Sequence, residues 1–178
     1  MDQFVISDTC ILIDLYDTGL LELYSAQQIE IHTTDLVVSE LKTDTIKNVV
    51  TKLIRDGLLL IESIPANEMA GVLELRSGGL SITDCSVWYI ARKNKWTLLT
   101  GDKNLRTKAE NDGICVHGIL YVMDQLLLAK CMDPSSAHEK LQFLSENNNR
   151  LPVKEVKKRL HDWSLLTSKT NESCDEDC

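Results

Sequence analysis

Apolar residues along this chain fall into two alternating kinds of segment. "QFVIS" (3–7) is a short apolar run that stops at a carboxylate, the form of a buried strand. "CILIDLYDTGLLELYSA" (10–26) then carries its apolar residues at helical spacing. "IEIHT" (29–33) alternates and predicts a second strand, after which Asp35 is placed to cap a helix through "LVVSELK". "TIKNVVTKLIRDG" (45–57) puts Ile46, Val49, Val50, Leu53 and Ile54 on one face and ends at Gly57, as an amphipathic helix does. "LLLIESI" (58–64) predicts a third strand, closed by Pro65. Two helices follow, over "EMAGVLELRSGG" and "SITDCSVWYIARKNK". "WTLLT" (96–100) predicts the fourth strand, "NLRTKAENDG" a helix stopping at Gly113, and "ICVHG" a short fifth strand. "ILYVMDQLLLAKC", "SSAHEKLQFLSENN" and "PVKEVKKRLHDW" read as helices, the last opened by Pro152 and packed through Val153, Val156, Leu160 and Trp163.

Strands that alternate with helices imply a three-layer α/β/α fold, with a central parallel sheet of four to five strands and added C-terminal helices. Residues 1–165 form one domain on this reading, with 133–165 as a helical appendage and 166–178 as a disordered acidic tail.

The chain of 178 residues is long enough for one substantial core. Its formal net charge of −8 argues against a strongly basic nucleic-acid module. Half of that charge comes from Glu172, Asp175, Glu176 and Asp177 at the extreme end. The acidity therefore weakens a nucleic-acid reading without excluding it. The chain begins "MDQFVIS", without a signal-peptide pattern, and "GILYVMDQLLLAK" contains Asp124 and Gln125 and is too short to span a bilayer. A cytoplasmic protein without a membrane partner is expected. Of six cysteines, Cys10, Cys85, Cys115 and Cys131 lie in apolar periodic segments and read as small core residues, while Cys174 and Cys178 make only a loose pair in the tail. His32, His117, His138 and His161 have no metal-ligand spacing. Trp88 and Tyr89 read as core, with base stacking the alternative.

The acids carry the chemistry. Asp8 follows the first strand in "FVISDT", and Asp102 follows the fourth in "LLTGDKNL". In a parallel sheet every strand ends on the same edge, where ligands bind. Glu40 in "TTDLVVSEL" and Asp84 in "LSITDCS" reach that edge from helices. Each acid also has a structural reading: Asp8 and Asp102 make good N-caps, Ser81 and Asp84 match a capping box, and Glu40 suits a solvated helix position. Carboxylates that converge repel one another and need hard cations to stay ionised together. An all-oxygen set favours Mg²⁺ or Mn²⁺ over zinc.

The ordered set "VISDTCILI", "TTDLVVSEL", "LSITDCSVWYIA" and "LLTGDKNL" resembles the PIN domain, a family of metal-dependent nucleases that includes many toxin ribonucleases of toxin–antitoxin pairs. The resemblance covers most of residues 4–123. It implies a metal site of Asp8, Glu40, Asp84 and Asp102, with Thr100 as the Ser/Thr that orients a carboxylate or a water. It implies a Mg²⁺- or Mn²⁺-dependent endoribonuclease, with RNA as substrate and an antitoxin protein as partner if the chain is of the toxin type. A homodimer is compatible with the same reading. Lys103, Arg106 and Arg76 are the candidate phosphate contacts. Where some members carry a further acid after the last one, this chain has Lys103 and Asn104, which implies a weak second metal position. The alternatives are a non-catalytic PIN-like RNA-binding module and a phosphotransfer domain. The latter fits poorly: a haloacid-dehalogenase-type site needs an acid where Cys10 stands, and a receiver needs an Asp where "LLLIESIPA" offers Glu62 and Pro65.

Overall fold

The computed structural model describes residues 3–76 and 78–172, with side chains through Thr167. It divides into two compact units, Met1–Ile119 and Leu120–Cys178.

The first unit is built on a parallel sheet of five strands: β1 (Phe4–Ser7), β2 (Glu30–Thr34), β3 (Leu60–Glu62), β4 (Thr97–Leu99) and β5 (Val116–His117), in the order β3-β2-β1-β4-β5. The helices are α1 (Thr9–Asp17), α2 (Leu21–Ser25), α3 (Asp35–Glu40), α4 (Asp44–Arg55), α5 (Met69–Glu74), α6 (Ile82–Asn94) and α7 (Lys103–Asn111). The chain steps from β1 to β2 to β3 in one direction, then crosses back over β1 to β4 and β5. Right-handed crossovers therefore put α1–α4 on one face and α5–α7 on the other. Val5, Ile6, Ile31, Leu98 and Leu99 are buried, as a strand covered on both faces requires. The three-layer α/β/α architecture expected from the sequence is the one observed.

Differences from the sequence pattern are local and have local causes. The helix expected over 10–26 breaks into α1 and α2 at Gly19, which takes a φ of 64°. The cap of α3 is Thr34, whose Oγ1 accepts from Val37 N at 3.3 Å; Asp35 is the first helical residue. β3 starts only at Leu60, because Leu58 N still bonds Leu53 O at 2.9 Å to close α4. Cys85 is buried as expected, but Cys115 and Cys131 are exposed. Cys115 precedes the two-residue edge strand, and Cys131 follows the end of a helix, so neither has the cover that a central strand receives. Trp88 is buried with its Nε1 donating to Asp112 Oδ2 at 3.1 Å, while Tyr89 is only partly buried and donates from its hydroxyl to Glu68.

The second unit contains α8 (Ile119–Leu128) apart from its first residue, α9 (Pro134–Asn147) and α10 (Val153–Glu172). Asp133 caps α9 by accepting from Ser136 N, with Pro134 as its first residue. Arg159 of α10 holds Asp124 of α8 through both Nε and Nη2, at 2.7–3.1 Å. That bond, ahead of the others, raises the guanidinium pKa against the cost of burial. Val156 and Trp163 are buried as the helical pattern predicts, but Val153 is 67% exposed, since it opens the helix. Of the tail expected over 166–178, residues 166–172 continue α10, and 173–178, with Cys174 and Cys178, lie outside the described residues. No described helix is long and apolar enough to cross a membrane.

Candidate functional site

The strand order reverses between β1 and β4, and the crevice beyond the carboxyl ends of two such strands is the usual ligand position in an open α/β sheet. Asp8 and Asp102 leave the sheet on either side of it. Asp8 N still donates to Leu99 O at 3.0 Å, so its backbone keeps the register of the β1–β4 pair, in which Ser7 lies opposite Leu99. The Asp8 side chain turns onto α1: Oδ1 accepts from Ile11 N at 2.8 Å. Asp8 as a residue is almost fully buried, at 2% exposure, and its Oδ2 accepts from Thr100 Oγ1 at 2.5 Å. The same Oγ1 accepts from Asp102 N at 2.9 Å. Asp102 caps α7, its Oδ1 accepting from Leu105 N at 2.7 Å. A single buried hydroxyl thus joins the two acids across the reversal point.

Glu40 is the last residue of α3 and is exposed. Thr9, the residue after Asp8, donates from Oγ1 to Glu40 Oε2 at 3.1 Å and ties it to the same edge. Asp84 sits in the first turn of α6, and a hydroxyl pair between Thr34 and Ser86, 2.8 Å apart, pins that turn to the end of β2. The Asp84 carboxylate is turned back: Oδ2 accepts from Ser81 N at 3.1 Å and Ser81 Oγ at 2.8 Å, while Asp84 N donates to Ser81 Oγ at 3.0 Å. This is the capping box read from "SITD". Asp8, Thr100 and Asp102 are therefore joined by hydrogen bonds, Glu40 is joined through Thr9, and Asp84 is engaged with its own helix start. Among the described residues, no three His, Cys, Asp or Glu side chains gather within reach of one ion. The donors present are carboxylate and hydroxyl oxygens, which suit a hard divalent cation.

The cations divide in role. Arg106 reaches back along α7, and its guanidinium donates to Val116 O at 2.9 Å, to Thr100 O at 3.3 Å and to Glu110 Oε1 at 3.3 Å. It holds the ends of β4 and β5 rather than facing outward. Lys103, the residue after Asp102, and Arg76 are exposed. Beside Asp84, burial pushes the Cys85 thiol pKa up and the Asp84 charge adds to the rise, opposed by Arg76 and Lys108. His32 is buried on β2, with Nδ1 at 2.9 Å from Glu62 Oε1 and its ring 4.0 Å from that of Trp96.

One contributor, Thr9, is not singled out by the sequence pattern, and Arg106, expected there as a phosphate contact, instead holds the strand ends. Thr9 is readable in hindsight as a hydroxyl in the first helical turn beside a strand-end acid. The role of Arg106 follows from its place one turn after the Asp102 cap, because helical side chains lean toward the N-terminus and so toward the strand end.

Among solved structures, the chain is similar to a PilT N-terminus domain protein from the hyperthermophilic archaeon Sulfolobus solfataricus P2, at 17% identity and TM-score 0.46, covering 72% of this chain and 93% of that one. It is similar to PAE2754 from Pyrobaculum aerophilum, at 19% identity and TM-score 0.46, covering 72% and 99%. It is also similar to FitAcB from Neisseria gonorrhoeae, at 16% identity and TM-score 0.39, covering 63% and 95%. A search of curated proteins gives no match. A family model described as PIN domain matches residues 4–164, which span both the sheet with its strand-end acids and the helices that follow. The chain belongs to the PIN-domain family.

Proposed function

We propose that this PIN domain is a Mg²⁺- or Mn²⁺-dependent endoribonuclease whose metal-holding residues are Asp8, Glu40, Asp84 and Asp102. The observation that carries the reading is the Asp8–Thr100–Asp102 chain of hydrogen bonds across the reversal point of the sheet, with Glu40 tied beside it by Thr9. A bound divalent cation would supply charge neutralisation at the phosphate and a water of lowered pKa. The chain's own residues do the positioning. Thr100 fixes the rotamer of the Asp8 carboxylate, and Asp8 and Asp102 present oxygens on either side of the crevice. Thr9 holds Glu40 toward the same point. Lys103, exposed beside Asp102, contacts the RNA phosphate, while Arg106 keeps the strand ends in register.

All five proposed site residues lie in the first unit, and residues 133–165 are a helical appendage to the PIN body in this proposal. An antitoxin protein and a second copy of the chain are the partners it allows. The observation favouring the alternative, a non-catalytic RNA-binding module, is the capture of the Asp84 carboxylate by Ser81. Cleavage separates the two readings. The purified protein is expected to cut RNA with Mg²⁺ or Mn²⁺ and to stop in EDTA, and Asp8→Ala and Asp102→Ala are each expected to lose most of the activity. Undiminished cleavage in EDTA, or near-normal turnover by Asp8→Ala, overturns the proposal.

A further inference from the structure

Helix α1 carries more apolar surface than the core uses. Ile11, Leu12 and Leu15 are buried, yet Ile13, on the other side, is 37% exposed and Tyr16 is only partly covered. Thr9, Ile13, Tyr16 and Asp17 follow at spacings of four, three and one residues, so they share one face of the helix. This face forms one wall of a cavity of about 650 Å³, whose other wall is Glu40, Leu41, Lys42, Thr43 and Ile46 from the end of α3 and the start of α4. Leu41 and Ile46 are buried and give the cavity an apolar floor. Its volume falls within the range usual for small-molecule sites, roughly 300–1,000 Å³.

The position of this cavity gives it a role. Thr9 and Glu40, joined at 3.1 Å, belong both to it and to the proposed catalytic edge. From Thr9 to Tyr16 the helix rises about 10 Å, at about 1.5 Å per residue. The cavity is thus a continuation of the crevice, not a separate site. Its contents are selected by charge. Glu40 at one end and Asp17 at the other repel a phosphate from the interior, whereas a neutral planar ring is accepted by Tyr16, Ile13, Leu41 and Ile46. Lys42, exposed at the rim, is placed to meet a backbone phosphate outside.

We infer that this cavity is a nucleobase subsite: one base of the RNA, next to the scissile phosphate, enters it and stacks on Tyr16. The inference rests on the nuclease reading and names where that site takes its substrate. Base–aromatic stacking tolerates any base, because each presents a π face. The subsite therefore grips an unpaired nucleotide and favours single-stranded RNA over a duplex, whose bases are stacked on one another.

The test measures binding apart from cleavage. Fluorescence anisotropy in EDTA at low salt compares oligo(A) with an abasic oligomer of the same length, using the full chain. Oligo(A) is expected to bind the wild type about tenfold more tightly, in line with the loss of one stacked base. Tyr16→Ala is expected to erase that difference and Tyr16→Phe to keep it, each variant being checked for an unchanged far-UV spectrum and melt. Equal affinity for the two oligomers, binding of neither, or a preference that survives in Tyr16→Ala overturns the base assignment; equal affinity also leaves the cavity to a polypeptide. A cleavage assay run alongside separates the two proposals. Metal-dependent cleavage with no Tyr16-dependent base preference overturns only the subsite. Tyr16-dependent binding with no cleavage overturns the nuclease reading and retains the base cavity.

Discussion

Replacing Thr100 by Val keeps the shape of the side chain and deletes its hydroxyl. Thr100 is fully buried, and its Oγ1 makes two bonds, one to Asp8 Oδ2 at 2.5 Å and one from Asp102 N at 2.9 Å. A bond to a charged group contributes about 1.5–3 kcal/mol and a neutral one about 0.5–1.5 kcal/mol. The substitution leaves an acceptor oxygen and a backbone N–H without their partner at the edge of the core. The expected loss is therefore about 2–4 kcal/mol, or a fall in Tm of roughly 4–16 °C at about 2–4 °C per kcal/mol. Thr100→Ser keeps the hydroxyl and loses a methyl, which costs about 1 kcal/mol. Thermal and urea unfolding followed by circular dichroism in EDTA measures both. A Val variant as stable as wild type, or a Ser variant as damaged as Val, would refute the bridging role of the hydroxyl. In the cleavage assay, Ser should retain activity and Val should lose it, since only Val removes the donor that positions Oδ2 of Asp8.

Asp84→Asn should change stability in EDTA by at most about 1 kcal/mol, because Asn can still serve at the helix start; in Mg²⁺ at about 100 times its dissociation constant the wild type should gain ~2.7 kcal/mol and the variant much less, whereas parallel melting shifts would remove Asp84 from the metal site. The hydrogen bond from Lys93, followed by that from Tyr89, lowers the Glu68 pKa below the ordinary glutamate value. Its contribution is therefore present above that ordinary value and lost as the pH falls through the lowered one; urea midpoints across the acid range should show a gap between wild type and Glu68→Gln that closes on acidification, and a constant gap would contradict the ion pair. Alkylation of the native protein should modify Cys115 and Cys131 well before Cys85, which is buried and whose thiol pKa is raised, with mass spectrometry of the digested protein as the readout.

What could be read from the sequence was what depends on burial. Strands covered on both faces tend to be apolar nearly throughout, so 3–7 and 96–100 stand out as short apolar runs and 29–33 by its alternation, and the succession of strands and helices leaves a parallel sheet as the consistent arrangement. Junctions were less legible, because several residues there compete for one role. Thr34 and Asp35 are both good caps, and the extended backbone of the last strand residue gave the position to Thr34. "DTGLL" fits a continuous helix until Gly19 takes a positive φ. Cys115 and Cys131 depart from the core pattern, because periodicity does not distinguish a central strand from a two-residue edge strand or a helix end.

The candidate site has the same limitation at a finer scale. In a parallel sheet the end of each strand feeds the start of a helix, so an acid at that point is both a cap for free amide groups and a member of the ring of groups at the carboxyl edge. Asp8 and Asp102 each use one carboxylate oxygen for the cap, Oδ1, toward Ile11 N and Leu105 N. The cap and the proposed ligand role of these residues are therefore compatible, since the cap occupies only one oxygen of each; the second oxygen of Asp8 accepts from Thr100. Asp84 differs: Oδ2 alone takes both Ser81 bonds, from backbone and hydroxyl. Asp8 has in addition a partner that no local capping rule calls for: Thr100, just past the end of β4 and ninety-two residues away in sequence, donates to its second oxygen. Such a bond between strand ends is more than a helix start requires, and it is the feature on which the proposed site rests.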